Sequence, residues 1–221
     1  MNVDAPLVHL QMLRGLREPA QLADAVAAWR AAAGTAVAGA SASFAGDAIE
    51  KGQTGPDRAR DLSGTPLFLV ATPLRDIATT PEGVATLAAA TARAASSAQG
   101  AESWLLQQQF ERRAEATPAE PATDWLQIVM MNAEPAVDGE FNDWYETEHA
   151  ARIARAAPEF VSVHRYVALA GTPRYVALWR LKDRKAPERD PWLSASETPW
   201  TLRIRRFMRD RRRFLFAPLR A

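Results

Sequence analysis

Phe160-Val161-Ser162-Val163-His164-Arg165-Tyr166-Val167-Ala168-Leu169 is followed by Ala170-Gly171-Thr172-Pro173 and then by Arg174-Tyr175-Val176-Ala177-Leu178-Trp179-Arg180-Leu181. Two strand-length runs rich in Val, Tyr and Trp, separated by a Gly/Pro break, predict a β-hairpin. Upstream, Trp125–Met131 is a third strand-length apolar run. Between it and the hairpin, Phe141, Tyr145, His149 and Ile153 recur every four residues, the spacing of one helix face. Asp138 stands where that helix would be capped. Downstream, Thr198-Pro199 places a capping hydroxyl before a first-turn proline. Trp200, Ile204, Phe207 and Met208 follow on one helical face, and Arg213–Phe216 predicts a last strand. The order is β-α-β-β-α-β.

The first part of the chain gives the same order. Leu7–Leu13 predicts a strand, and Pro19 opens a helix carrying Leu22, Val26, Trp29 and Ala33 and stopped by Gly34. Thr35–Phe44 and Pro66–Leu74 predict strands, with Gly46–Gly64 as an exposed loop between them. Thr80-Pro81 starts a helix with Val84, Leu87, Ala88 and Thr91 on one side, and Trp104–Phe110 closes the set. A Pro/Ala/Glu-rich stretch around 116–123 reads as a linker, which divides the chain into 1–115 and 124–221. This order is that of the ferredoxin-like split unit. One such sheet covers a single face with helices and leaves the other bare; two can bury their bare faces against each other. The expectation is an α+β fold: two tandem ferredoxin-like βαββαβ repeats forming an intramolecular, pseudo-dimeric α+β barrel.

Composition narrows the function classes. The 221 residues are 48% hydrophobic and 24% charged, with a net charge of +1, the balance of an ordinary globular chain. Residues 1–120 carry a net −3 and 121–221 a net +4. The absence of cysteine excludes disulfides, thiolate metal sites and cysteine nucleophiles. Three histidines, His9, His149 and His164, leave little for a metal cluster, so no metal is expected. No run reaches the roughly 20 apolar residues of a membrane span, and Met1–Pro6 lacks the basic flank and apolar run of a secretory signal. A cytoplasmic location is the expectation. Leu202–Arg213 holds seven arginines and one aspartate. With the core stripe taken by Trp200, Ile204, Phe207 and Met208, the reading leaves Arg203, Arg205, Arg206 and Arg209 as a solvated flank and not a nucleic-acid surface. Gly-rich phosphate loops, G-x-S-x-G elbows and H-E-x-x-H pairs are absent from the sequence.

The densest chemical stretch is Phe141-Asn142-Asp143-Trp144-Tyr145-Glu146-Thr147-Glu148-His149. Its stripe faces a sheet, which puts the His149 imidazole and the Tyr145 phenol at a low-dielectric boundary. A histidine there can have a shifted pKa and move protons near neutral pH. Arg152, three residues on, is placed to stabilise a developing anion. On the strand, alternation groups Phe160, Ser162, His164 and Tyr166 on one face and Val161, Val163, Arg165 and Val167 on the other. Arg165, His164 and Trp179 are candidates to border the same pocket, and Trp144 is a candidate substrate platform.

F-N-D-W-Y-E-T-E-H, followed by P-E-F-V-S-V-H-R-Y, P-R-Y-V-A-L-W and T-P-W-T, resembles the EthD-like branch of the dimeric α+β barrel superfamily over about 124–216. The resemblance implies a pocket between sheet and helices with His149 and Tyr145 as catalytic groups. Trp144, Arg152, Arg165, His164 and Trp179 would bind the substrate. It implies metal-free proton transfer, isomerase, cyclase or cofactor-independent oxygenase chemistry on a hydrophobic aromatic or polyketide-like molecule, without a cofactor. Two alternatives are a haem-binding or haem-processing barrel, with His149 or His164 as ligand, and a non-catalytic ligand-binding or structural barrel. A second copy of the pseudo-dimeric chain is the remaining partner. Related sequences often place a proline two residues after the helix histidine, where this chain has Ala151. The helix Leu22–Ala33 has no histidine, so the first repeat is expected to complete the barrel and contribute no catalytic group.

Overall fold

The structure is a computed structural model and describes residues 6–16, 19–46, 67–95, 100–114 and 125–218. The expected linker 116–123, with the unit boundaries set by it, and the body of the expected loop after Gly46 lie outside the described residues. Strands β1 (Leu7–Arg14), β2 (Ala42–Gly46), β3 (Leu67–Leu74) and β4 (Gly100–Arg113) alternate with helices α1 (Pro19–Ala33) and α2 (Pro81–Ala95). Then come β5 (Trp125–Ala133), α3 (Asp138–Asp143), a π-helical turn (Trp144–His149) and α4 (Ala150–Ala156). Strands β6 (Phe160–Ala170) and β7 (Tyr175–Leu181), helices α5 (Asp190–Ser196) and α6 (Pro199–Arg205), and β8 (Met208–Pro218) complete the chain. No helix among the described residues is long and apolar enough to cross a membrane.

All eight strands close into one antiparallel barrel in the order β1-β3-β2-β8-β5-β7-β6-β4. Within each half the first strand is central, flanked by the third and fourth, and the second strand lies at the edge. The fourth strand of each half pairs with the second strand of the other: β4 with β6 and β8 with β2. The expected burial of two bare faces is realised in the barrel interior. There Leu10 and Met12 of β1, Leu69 of β3 and Trp104 of β4 meet Ile128 of β5 and Phe214 of β8, all fully buried. The helices cover the outside in three further clusters, two in the first half and one in the second.

The local signals explain most elements. Thr80 Oγ1 accepts from Gly83 N–H at 3.0 Å and Thr198 Oγ1 from Thr201 N–H at 2.9 Å, so both Thr-Pro pairs act as helix starts. The expected strand Thr35–Phe44 is only partly formed. Gly34 turns at φ +56, 34–36 make a short 3₁₀ turn, and Val37 makes only an isolated bridge to Leu74; Arg30 donates to Gly39 O at 2.6 Å, and continuous pairing begins at Ala42. Asp138 does not cap its helix; its carboxylate accepts from Tyr175 Oη at 2.6 Å instead. Helix α6 ends at Arg205 because Met208 and Arg209 already pair with Ala133 and Asn132 of β5. Its buried residues are Thr201 and Ile204, with Trp200 and Phe207 only partly covered. Helix α5, with Pro191 in its first turn, was not anticipated.

The hairpin turn carries one strict requirement. Gly171 sits at φ +101, and a Cβ there would lie 2.7 Å from both the Ser103 carbonyl oxygen and the Trp104 ring. Gly171→Ala is therefore expected to cost about 2 kcal/mol from backbone strain and this clash. A lowered denaturation midpoint at unchanged slope would show it.

Candidate active site

The helix that begins at α3 does not keep α geometry. Through Trp144–His149 it widens into a π turn, and Ala150 N–H reaches the Tyr145 carbonyl five residues back. Residues five apart diverge by about 140° on an α-helix but align on a π turn. The Trp144 and His149 rings accordingly stack at 4.5 Å. Phe141, Tyr145 and Ile153 still face the sheet as the four-residue spacing predicts, and the π turn brings Trp144 in beside them.

Between this turn, α5, α6 and the outer face of β5, β7 and β8 lies a cavity of about 190 Å³. Trp144, Tyr145, Trp179 and Trp192 wall it, and Pro187, Leu193, Glu197 and Arg205 form a rim. His149 lines it with its ring edge-on to Tyr145 at 5.2 Å and to Trp179 at 5.8 Å. Its Nδ1 is buried without a hydrogen-bond partner. Burial, followed by the fields of Arg211, Arg205 and Arg213, lowers the His149 pKa to about 3, so the imidazole is neutral. Tyr145 accepts from Trp179 Nε1 at 3.0 Å, which leaves its own proton available. Burial pushes its pKa up to about 12 against the opposing pull of Arg165. Trp144 Nε1 donates to Thr201 Oγ1 at 3.2 Å, and Thr198 Oγ1 donates to Glu148 at 2.5 Å, tying the π turn to α6.

The floor of the cavity is cationic. Asp210 adopts φ +52, and Asp210 and Arg211 together oppose the single residue Met131, a β-bulge in β8. Asn132 Nδ2 donates to Asp210 at 2.7 Å and holds the bulge. Beyond it, alternation sends Arg212 toward the barrel interior, where it pairs with Glu102, and turns Arg211 and Arg213 into the cavity. Other arginines of the run are ion-paired: Arg203 with Glu140, Arg205 with Glu197, Arg209 with Glu134. Arg211 and Arg213 have no carboxylate partner among the described residues, and Arg213 Nε is buried without any. Burial, then Arg213 and Arg205, lowers Arg211 to about 10, which leaves it charged at neutral pH.

Of the residues singled out in the sequence, His149, Tyr145, Trp144 and Trp179 converge on this cavity and three others do not. Arg152 is exposed and donates to the Ala195 carbonyl at 3.2 Å, holding α5. Arg165, 1% exposed, lies behind the site. Its guanidinium is 4.8–4.9 Å from the rings of Phe141, Tyr145 and Tyr175 and hydrogen-bonds Glu146 and Asn142. His164 shares the barrel-interior face with Tyr166, its Nδ1 3.7 Å from Glu111. Phe160 departs from that face because β6 shifts register before Ser162. The sequence reading missed Arg211 and Arg213. Extending the strand Arg213–Phe216 two residues back would have put both on one face. Among the described residues, those lining the cavity all lie within 127–213. Among the described residues, no group of His, Asp or Glu is arranged to hold a metal ion.

A smaller cavity of about 120 Å³ occupies the helix layer of the first half, lined by His9, Leu87, Thr91, Ser103 and Gly171 among others. His9 stacks on Trp29 at 4.6 Å, and its Nε2 lies 3.3 Å from Thr91 Oγ1. The Thr91 hydroxyl proton is committed to the Leu87 carbonyl at 2.8 Å, so His9 Nε2 is the donor and its buried Nδ1 is a bare acceptor. Burial lowers His9 to about 4. Both folded-state values lie below the unfolded value of about 6.5, so the unfolded chain binds more protons between them. Stability should be unaffected by these groups above about pH 6.5 and fall toward pH 4, by on the order of 1 kcal/mol per pH unit for each histidine. Urea midpoints across pH 4–8 check it. His9→Phe should remove its share of the slope.

No protein-family model and no curated protein sequence matches the chain. Solved structures do. A candidate monooxygenase from Fusobacterium nucleatum subsp. nucleatum superposes with a TM-score of 0.57 at 9% identity, over 98% of this chain and 93% of that one. An anthrone oxidase-like protein gives 0.58 at 12%, over 98% and 92%. A chlorite dismutase variant from Candidatus Nitrospira defluvii gives 0.53 at 9%, over 97% and 92%. The chain is a pseudo-dimeric α+β barrel. At these identities the likeness is one of fold, and the chemistry has to be argued from the cavity.

Proposed function

We propose that the chain is a small-molecule enzyme of the EthD-like type, built from two tandem ferredoxin-like repeats, 1–115 and 124–221, with its chemistry in the second. The observation that carries this reading is the neutral His149 imidazole, held against Trp144 and Tyr145 at the wall of an aromatic cavity. A neutral imidazole can accept a proton. Trp144, Trp179 and Trp192 offer ring faces and edges to an aromatic substrate. Tyr145 presents its hydroxyl proton to the substrate oxygen, and Arg211 and Arg213 lie where negative charge develops. Burial lowers the His149 pKa most; the arginine field adds to this but lowers an acidic substrate alike, so the field by itself does not widen the gap between them. Arg165 is a positioning residue here, since it holds the outer face of the Tyr145 ring. The name of one structural neighbour, an anthrone oxidase-like protein, is in keeping with an aromatic ketone.

A haem-binding barrel is the second reading: His149 lines the cavity with a buried, unpartnered Nδ1 that could serve as a ligand nitrogen. A Soret band on mixing with haemin, lost in His149→Phe, would favour it over the first. The activity test uses two carbon acids. With 2-tetralone under nitrogen, solvent deuterium should enter next to the carbonyl faster than in buffer. With anthrone in air, loss of the C10 proton, addition of dioxygen at that carbon and expulsion of one water should give anthraquinone. Exchange without oxidation identifies an isomerase or cyclase, both together an oxygenase, and exchange at the buffer rate for both compounds overturns the proposal.

A further inference from the structure

We infer that the cavity takes its ligand as an anion, an aromatic carboxylate whose oxygens are held by Arg211 and Arg213. This rests on the reading of the cavity as the substrate site and specifies the substrate class. A buried guanidinium without a counter-charge costs several kcal/mol of lost hydration and ordinarily survives only with a partner. Three neighbouring arginines of the same run, Arg203, Arg205 and Arg209, have theirs in Glu140, Glu197 and Glu134, and Arg206 is exposed to water. Arg211 and Arg213 have none among the described residues, and both line the cavity. The bulge at Asp210 sets which face they take, and Asn132 pins the bulge. Among the described residues, the only carboxylate lining the cavity is Glu197, which pairs with Arg205 and reaches Arg211 only through its field. The site therefore carries two uncompensated positive charges facing aromatic walls. Guanidinium forks match a carboxylate through paired N–H donors. An apolar cavity of about 150 Å³ holds one benzene ring, so about 190 Å³ seats the ring that bears the carboxylate, and any further ring lies toward the open rim at Pro187 and Leu193. A bound carboxylate would also offset the arginine field that adds to burial in lowering the His149 pKa, which makes the base stronger when the ligand is in place.

Benzoate and its neutral isostere benzamide separate charge from shape. Benzoate should bind the wild-type chain at least tenfold more tightly by calorimetry, and it should raise the titration midpoint of the His149 ring in NMR, which benzamide should not. Arg211→Gln and Arg213→Gln should each bring benzoate down to the benzamide level. Benzamide binding as well as benzoate, benzoate unaffected by either substitution, or no benzoate binding at 10 mM would each overturn the inference. Sulfate binding as tightly as benzoate would also overturn it, because the site would then read charge without the ring. The wild-type comparison needs no variant to fold. Exchange of 2-tetralone involves no carboxylate, so its persistence alongside a failed benzoate preference would retire this inference and leave the proposed function standing.

Discussion

Arg165→Ala is expected to destabilise the chain by about 3 kcal/mol, the cost of emptying a large buried site and unpairing its neighbours. For a chain of this size that lowers Tm by about 10 °C. The guanidinium sits among the rings of Phe141, Tyr145 and Tyr175, each at 4.8–4.9 Å. It also donates to Glu146 at 3.1 Å and to Asn142. Alanine removes the filler of that cage and three cation–π contacts at once. Glu146 is 35% exposed and can turn to water, which keeps the loss below that of a fully buried pair. Arg165→Met fills most of the volume without the charge and should recover more than half of the lost stability. Equal melting of the alanine variant and the wild type would show that α3 and the π turn do not depend on this anchor.

His149→Phe is expected to lower exchange into 2-tetralone by 10²–10⁴-fold, the range of a lost general base, without lowering Tm. The two effects separate because the imidazole is ill-suited to its surroundings as a structural group. Its Nδ1 is buried and unpartnered, and a phenyl ring keeps the stack on Trp144 while discarding that unmet acceptor. A variant that melts lower and exchanges as fast as wild type would make His149 a packing residue. His149→Gln, which retains a polar acceptor but cannot take a proton near neutrality, should behave like phenylalanine in the exchange assay.

The fold was legible where it depends on neighbours in sequence. Thr80-Pro81 and Thr198-Pro199 cap their helices in the structure. The alternation in 160–181 gave a hairpin, and the repeated element order gave the closed barrel. The site was legible in half. His149, Tyr145, Trp144 and Trp179 meet because a helix face and a strand face are local properties. Arg165 and His164 show the limit: alternation separates two strand faces but does not say which one the helices cover. Arg211 and Arg213 were hidden for a different reason. A run of arginines after a helical stripe extends the helical reading, and only pairing with β5 and the bulge at Asp210 convert it to strand spacing. The stack of Trp144 on His149 could not be read from an α-helical wheel at all.

The π turn makes the site depend on a residue count as well as on residue identities. A π turn is an α-helix with one residue too many, accommodated without breaking the chain. Here both ends are anchored, α3 through Asp138 and Asn142 to Tyr175 and Arg165, and α4 through Ile153 in the helix–sheet core. Deleting one residue between Trp144 and His149 would let the helix relax to α geometry with both anchors in place. At their present separation of five residues the rings of Trp144 and His149 share a face only through the π turn; after the deletion they would stand four apart, the ordinary same-face spacing of an α-helix, and Tyr145 would stand three from His149.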